Sequence, residues 1–399
     1  MYYPSSSRHD AKLVELIVSR VQALLEYKEL VITQFPVALD SHVEKVIGCI
    51  ENHSTKVCMI GIWGMGGSGK TTLAKAIYNR IYRTFIGKSF IENIREVCNQ
   101  LISRSHLHLQ ENLLHDVLKS KLHVESVGMG RTLIKNRFCR KKLLIVLDDV
   151  NEFGQLENLC GNREWFGQGT VIIITTRDVG LLKLLDVNYV YKTDDMNENE
   201  SLELFSWHAF REEKPIEDLN EVARNVVGYC GGLPLALEVL GSYSSQRTKK
   251  ECESMLSELK IISNNQVLDK LRISFDSLHH HEKDIFLDVC CFFIGKDRGY
   301  VTEILNGCEL CADDGLTVLI ERSLIKVEKN NKLGMHPLLQ EMGREIIREN
   351  SRKEPGKHSR LWFQKDVVDV LRKKAVSTFS LYCFSFLFHV QYISGVRLS

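Results

Sequence analysis

The chain has 399 residues, 44% apolar and 26% charged, and Lys plus Arg exceeds Asp plus Glu by 52 − 51 = 1. That length calls for about two to four domains, and near-neutrality gives no electrostatic footprint for nucleic acid or an anionic membrane surface. Twelve cysteines are scattered, several (Cys58, Cys230, Cys290, Cys291) inside apolar runs. This usage suits small buried hydrophobes in a reducing compartment, cytoplasmic or nuclear.

Residues 1–10 are polar and lack the apolar core of a signal peptide. Leu13, Ile17, Val21 and Leu24 recur at near-helical spacing, which predicts an amphipathic helix over 11–32, ended by Phe35-Pro36. Residues 1–34 thus read as an N-terminal linker. A short helix is expected over Val43–Ile50. Val57–Ile62 is a continuous apolar run, as in a strand buried on both faces, with a glycine-rich loop and a helix over Thr72–Tyr82 behind it. Ser89–Ile91, Leu143–Leu147 and Val171–Thr175 read as further strands, with a helix over Leu107–Leu122. Strands alternating with helices predict an α/β domain over 35–192, a parallel sheet with helices on both faces. Beyond Lys192 the pattern turns helical: Glu200–Phe210, Leu219–Tyr229, Pro234–Ser242, Lys250–Leu259, Val267–Asp276 and Glu282–Phe293. Ser323–Val327 and Lys332–Met335 flank a polar turn, so helices followed by a hairpin predict a winged helix. Residues 375–396 carry no Asp, Glu, Lys or Arg. Their serines, His389 and Gln391 dilute the apolar character, and an irregular tail over 373–399 is expected rather than a membrane span.

Gly64-Met65-Gly66-Gly67-Ser68-Gly69-Lys70-Thr71 fits G-x-x-x-x-G-K-[ST] and lies between a predicted buried strand and a predicted helix. In this pattern backbone N–H groups turn toward phosphate oxygens, and the next helix presents its positive end to the same anion. Lys70 would reach the β- and γ-phosphates and Thr71 would hold Mg2+. Asp148 ends a buried strand, where a carboxylate can hold Mg2+, while Asp149 could orient an attacking water. The alternative for either is a helix N-cap. Arg177 follows the third long strand, where strand C-termini converge on a ligand; it could sense a γ-phosphate or form an ion pair. Gly231-Gly232-Leu233-Pro234 reads as a corner between helices. Met335-His336-Pro337 is ambiguous, since a lone His beside Pro is ordinarily structural.

Taken in order, Gly-Met-Gly-Gly-Ser-Gly-Lys-Thr-Thr, Leu-Ile-Val-Leu-Asp-Asp-Val, Ile-Ile-Ile-Thr-Thr-Arg-Asp, Gly-Gly-Leu-Pro-Leu-Ala, Phe-Leu-Asp-Val-Cys-Cys-Phe-Phe and Met-His resemble the NB-ARC module of plant intracellular disease-resistance receptors of the leucine-rich-repeat class. The resemblance covers about residues 30–372. Phe286–Phe293 and Ser89–Glu96 are similar to the subclass with a Toll/interleukin-1 receptor domain, whereas Asn151 fits neither subclass fully. The resemblance implies a nucleotide-binding fold, a helical ARC1 unit (193–265) and a winged-helix ARC2 unit (266–372). It implies an ADP-locked resting state, exchange for ATP, assembly with other receptor chains, and at most slow ATP hydrolysis of the STAND type. It further implies that the loop through Thr72 binds nucleotide, that Val37 and Pro234 line the adenine side, and that His336 reaches the β-phosphate. Two departures stand out: Pro337 occupies a position where the family has Asp, and neither a Toll-type domain nor leucine-rich repeats flank the module, as in a truncated receptor. The alternatives are an adaptor or decoy that binds full receptors, and a metabolic ATPase; no second substrate site speaks for the latter.

Overall fold

The computed structural model describes residues 29–53, 55–101, 103–245, 247–259, 265–349 and 358–362. Its centre is a five-stranded, all-parallel sheet of order β2-β3-β4-β1-β5: β1 Cys58–Trp63, β2 Gly87–Ile91, β3 Leu143–Val150, β4 Val171–Thr176 and β5 Tyr189–Lys192. The apolar runs become the central strands because both their faces are covered. Met59, Ile145 and Ile172 face one side, Ile60, Val146 and Ile173 the other, and all are at most 1% exposed. Each such side chain contributes about 1.5–3 kcal/mol by leaving water. One layer is built by α1 (Leu39–Glu51) and α2 (Lys70–Ile81). The other holds α3 (Ile94–Leu101), α4 (Ser105–Leu118), α5 (Val127–Phe138), α6 (Phe153–Cys160) and α7 (Val179–Leu184).

After β5 the chain is helical: α8 Glu198–Phe210, α9 Asn220–Cys230, α10 Pro234–Ser244, α11 Lys249–Leu259, α12 Asn265–Asp276, α13 His280–Asp288, α14 Arg298–Gly307 and α15 Ala312–Glu321. A two-strand antiparallel hairpin, β6 Lys326–Val327 and β7 Leu333–Gly334, precedes α16 Pro337–Glu349. One apolar cluster runs from Leu204 of α8 to Ile347 of α16 and includes Met65 of the glycine loop. The helical and winged-helix elements therefore share a core that touches the nucleotide fold. Polar contacts reinforce this junction. Trp63 Nε1 donates to Arg177 O (3.2 Å) and Glu321 O (2.9 Å), and Lys183 pairs with Glu321 at 2.6 Å.

Several expectations need correction. Residues 29–33 carry no helix: Leu30 N donates to Asn79 Oδ1 (2.9 Å) and Asn79 Nδ2 to Leu30 O (2.8 Å), so a side-chain amide takes the place of an intrahelical ladder. Residues 11–28 and 375–396 lie outside the described residues. The helix expected over Glu282–Phe293 is α-helical only to Asp288 and continues as a π-turn, Val289–Phe293. Here Cys290 O accepts from Gln340 Nε2 of α16 (3.0 Å). The hairpin is shorter than expected, since Ser323 turns with φ 57°. Among the described residues no helix is long and apolar enough to cross a membrane.

Candidate nucleotide site

The loop between β1 and α2 runs along the C-terminal edge of the sheet. Gly67 and Gly69 have φ of 81° and 84°, a region that L side chains rarely adopt. Gly69 is the N-cap of α2 and supplies no side-chain hydrogen bond. The first-turn N–H groups of α2 are thus left to whatever sits before them, and the space beside Gly69 is open. The other glycines allow close approach from three sides: a Cβ would meet Thr193 Oγ1 at Gly64 (2.0 Å), Arg177 Nη1 at Gly66 (2.7 Å) and Leu235 Cβ at Gly67 (2.8 Å). Leu235 N donates to Gly67 O at 3.2 Å, which ties the start of α10 to the loop. Gly67→Ala combines left-handed strain, roughly 1–2 kcal/mol, with that collision. It is expected to abolish binding of a fluorescent ADP analogue and to lower the melting temperature.

Lys70 is buried and its Nζ donates to Gly64 O (2.9 Å) and Met65 O (2.7 Å). Burial, aided by the nearby Arg177 guanidinium, brings its pKa down to about 7. Asp148 is fully buried; its Oδ1 accepts from Thr71 Oγ1 (2.8 Å) and Thr175 Oγ1 (2.7 Å). Burial raises its pKa. A hydroxyl and a carboxylate oxygen side by side at the end of the loop are hard oxygen donors of the kind Mg2+ takes, so the residues present fit that ion. Asp149 is not a helix cap: Glu152 caps α6. The carboxylate of Asp149 pairs closely with Arg95 and lies 3.6 Å from Arg177 Nε. Arg177 Nη1 also donates to Ser274 Oγ (2.9 Å) and Lys270 O (3.1 Å) of α12. Burial lowers its pKa to about 10. The ion-pair alternative is thus realised, on Asp149, and it places Arg177 between the loop and the winged-helix elements.

Two cavities meet at Ser68. One, of about 120 Å3, is lined by Val37, Ser68, Gly69, Thr72 and Pro234, five of the residues singled out in the sequence. Its wall at residues 35–38 is pinned by stacking of Phe35 on Trp207, ring centroids 5.4 Å apart. The other, of about 210 Å3, brings Gly64, Met65 and Ser68 together with His336, Thr193 and Asp195. His336 is 3% exposed. Leu338 N donates to its Nδ1 (3.2 Å), so Nε2 carries the proton and donates to Gly231 O (3.1 Å). Burial lowers its pKa, which keeps it neutral at pH 7. Pro337 is the first residue of α16, where a missing N–H costs nothing. Asn93, Arg95, Thr175 and Thr193 were not foreseen. Only a Thr-Thr pair before Arg177 and the position of Arg95 after the β2 strand could have signalled them, and neither has a diagnostic spacing.

A parallel sheet with a glycine loop, buried lysine, hydroxyl–carboxylate pair and helix N-terminus along its C-terminal edge defines a P-loop nucleotide-binding module, here followed by a winged helix. Residues 39–215 match the NB-ARC domain, and residues 279–351 match the winged-helix domain of Roq1-like disease resistance proteins. The chain thus carries an NB-ARC domain and a Roq1-like winged-helix domain, and its homologues are plant disease resistance proteins. It is 40% identical to disease resistance protein RUN1 of Vitis rotundifolia, over 95% of this chain and 29% of that protein. It is 37% identical to TMV resistance protein N of Nicotiana glutinosa, over 91% of this chain and 32% of that protein. The chain spans under a third of the length of these relatives. A solved structure of a Walker-type ATPase of Pyrococcus abyssi shares the fold, with TM-score 0.52 and 15% identity over 76% of this chain and 95% of that one.

Proposed function

We propose that this chain is the ADP/ATP switch of a plant immune receptor of the Toll-type subclass, with slow ATP hydrolysis resetting it. The observation that carries the reading is the convergence on one loop of elements from both halves of the chain: Arg177 over Gly66, Leu235 over Gly67, and His336 beside Gly64 and Met65. A phosphate chain bound there touches the nucleotide fold, α10 and the start of α16 at once. Its occupancy is therefore felt by elements from both halves of the chain. The subclass reading rests on the resemblance of Phe286–Phe293 and Ser89–Glu96 to that subclass.

In this reading Lys70 and the first-turn N–H groups of α2 hold the β-phosphate. Val37, Thr72 and Pro234 enclose the base and sugar side. Thr71 and Asp148 would hold Mg2+, which supplies charge neutralisation across the β- and γ-phosphates. Arg177, at the mouth of the loop, exchanges Asp149 for a γ-phosphate, and Asp149, still held by Arg95, orients the attacking water. Assembly with further receptor chains follows opening. The nucleotide that copurifies with the protein tests this reading. Stoichiometric ADP is expected; an empty site in well-folded wild-type protein would overturn it. Pro337→Asp places a carboxylate and an N–H at the start of α16, a favourable place for negative charge, and is expected to slow ADP release. Equal release from both proteins would show that Pro337 leaves the latch unchanged.

A further inference from the structure

Residues 358–362 fold back onto the winged-helix elements, with His358, Arg360 and Leu361 buried. Arg360 reaches α13 at three acceptors: its Nε donates to Asp288 Oδ1 (2.6 Å) and its Nη2 to Asp284 Oδ1 (3.0 Å) and Asp284 O (3.1 Å). Beside it, the Trp362 ring packs under the guanidinium of Arg348, 5.2 Å from the ring centroid. Asp288 is the last α-helical residue before the π-turn Val289–Phe293. The π-turn closes this helix, since Ile294 after it is extended.

From that turn a contiguous path leads to the phosphate loop. Cys290 lies 3.4 Å from the sulfur of Met335 and its carbonyl accepts from Gln340. Gly343 of α16 is packed so closely on it that a Cβ there would meet Cys290 Sγ at 2.5 Å. The π-turn and the first half of α16 therefore pack directly on each other. Met335 precedes His336, which holds Gly231 O, and the Gly231–Leu235 corner holds Gly67 O through Leu235 N. Each link is a packed or hydrogen-bonded contact with little room for independent adjustment.

We infer that residues 358–362 form a strap, keyed by Arg360 to Asp284 and Asp288, whose docking holds the π-turn and His336 in the nucleotide-retaining arrangement. A pull on the chain beyond the strap would undock it and loosen the latch some distance away. The strap rests on the nucleotide-switch reading but adds a control point that the nucleotide contacts do not contain.

The test is release of a fluorescent ADP analogue from the full chain, chased with unlabelled ADP. Arg360→Ala is expected to speed release by about tenfold or more, at the upper end of what non-contacting residues transmit. Arg360→Lys, which keeps the charge but cannot fork to both carboxylates, should fall between, and it serves if the alanine variant does not fold. Leu113→Ala, in the remote layer of the sheet, controls for lost stability and should leave release unchanged. Because His336 lies on the same path, His336→Ala combined with Arg360→Ala should add little to either alone. Unchanged release in both Arg360 variants, equal acceleration by Leu113→Ala, or fully multiplicative effects with His336→Ala would each overturn the strap. A folded wild type that takes up no ADP would instead sink the switch reading and the strap with it.

Discussion

Replacing Lys70 by methionine is expected to weaken nucleotide binding at least about a hundredfold while leaving the melting temperature of the nucleotide-free protein at or above that of wild type. The buried ammonium has two carbonyl acceptors within the loop, Gly64 O and Met65 O. Phosphate oxygens would give it charge-assisted bonds worth about 1.5–3 kcal/mol each, so losing two of them costs roughly two orders of magnitude in affinity. Methionine keeps the apolar stem and removes the desolvated charge, which is why stability should not fall; Lys70→Ala should lose binding equally. The depressed pKa gives the prediction a second arm. With Lys70 near 7 in the free protein and held charged by bound phosphates, binding takes up a proton once the pH exceeds 7. Affinity should then fall by up to about tenfold per pH unit. Calorimetry at pH 8 in two buffers of different ionisation enthalpy should show uptake approaching one proton in wild type and less in the methionine variant. The sign on stability is opposite. The unfolded chain keeps its proton to the ordinary lysine value of 10.5, so the nucleotide-free fold gains stability from Lys70 as pH rises between about 7 and 10.5. Wild-type binding that is flat from pH 7 to 9 would show that Lys70 is charged before nucleotide arrives.

Asp148→Asn is the second large effect, and it separates activity from stability. Hydrolysis of ATP with Mg2+ is expected to drop at least about a hundredfold, in keeping with loss of one preorganised electrostatic contact. The fold should not suffer. The hydroxyls of Thr71 and Thr175 both donate to Oδ1, and an asparagine oxygen in that place accepts the same two bonds. At the Oδ2 position the amide meets only a long contact from Asn93 N, 3.4 Å. Burial raises the pKa of Asp148, so the ionised group opposes folding at neutral pH and its removal relieves that cost. In wild type this penalty is absent below the unfolded carboxylate value and grows as pH rises through the folded one. A differential scan with a higher or equal melting temperature, together with lost turnover, meets the prediction. A marked fall in melting temperature would mean that the carboxylate stabilises the fold through contacts that an amide cannot make.

The legible parts of the molecule were those whose physics is local. A run such as Val171–Thr175 announces burial on both faces by composition alone. Strand β5 went unseen because it is an edge strand: Tyr189 and Val190 are 36% and 37% exposed, so no apolar run marks it. Helix α5 went unseen because Gly128 and Gly130 lower its propensity. Gly130 is there for packing, since a Cβ would stand 1.9 Å from Gln110 Oε1 of α4. The reverse error, a helix carried on to residue 32, came from a periodicity that the amide of Asn79 overrides.

By itself the sequence determined the phosphate loop, since glycines at Gly67 and Gly69 encode a backbone that few other residues can adopt, and it determined the order of buried strands that must deliver that loop to the end of a parallel sheet. Which groups face the loop was decided only by tertiary structure. Arg95 and Arg177, 82 positions apart by their numbers (177 − 95), meet on Asp149. His336 is spent on Gly231 O, 105 positions away, and Trp63 is bonded to Glu321 O, 258 positions away. Contacts at such separations depend on the packing of whole layers, and no short-range pattern in the chain records them.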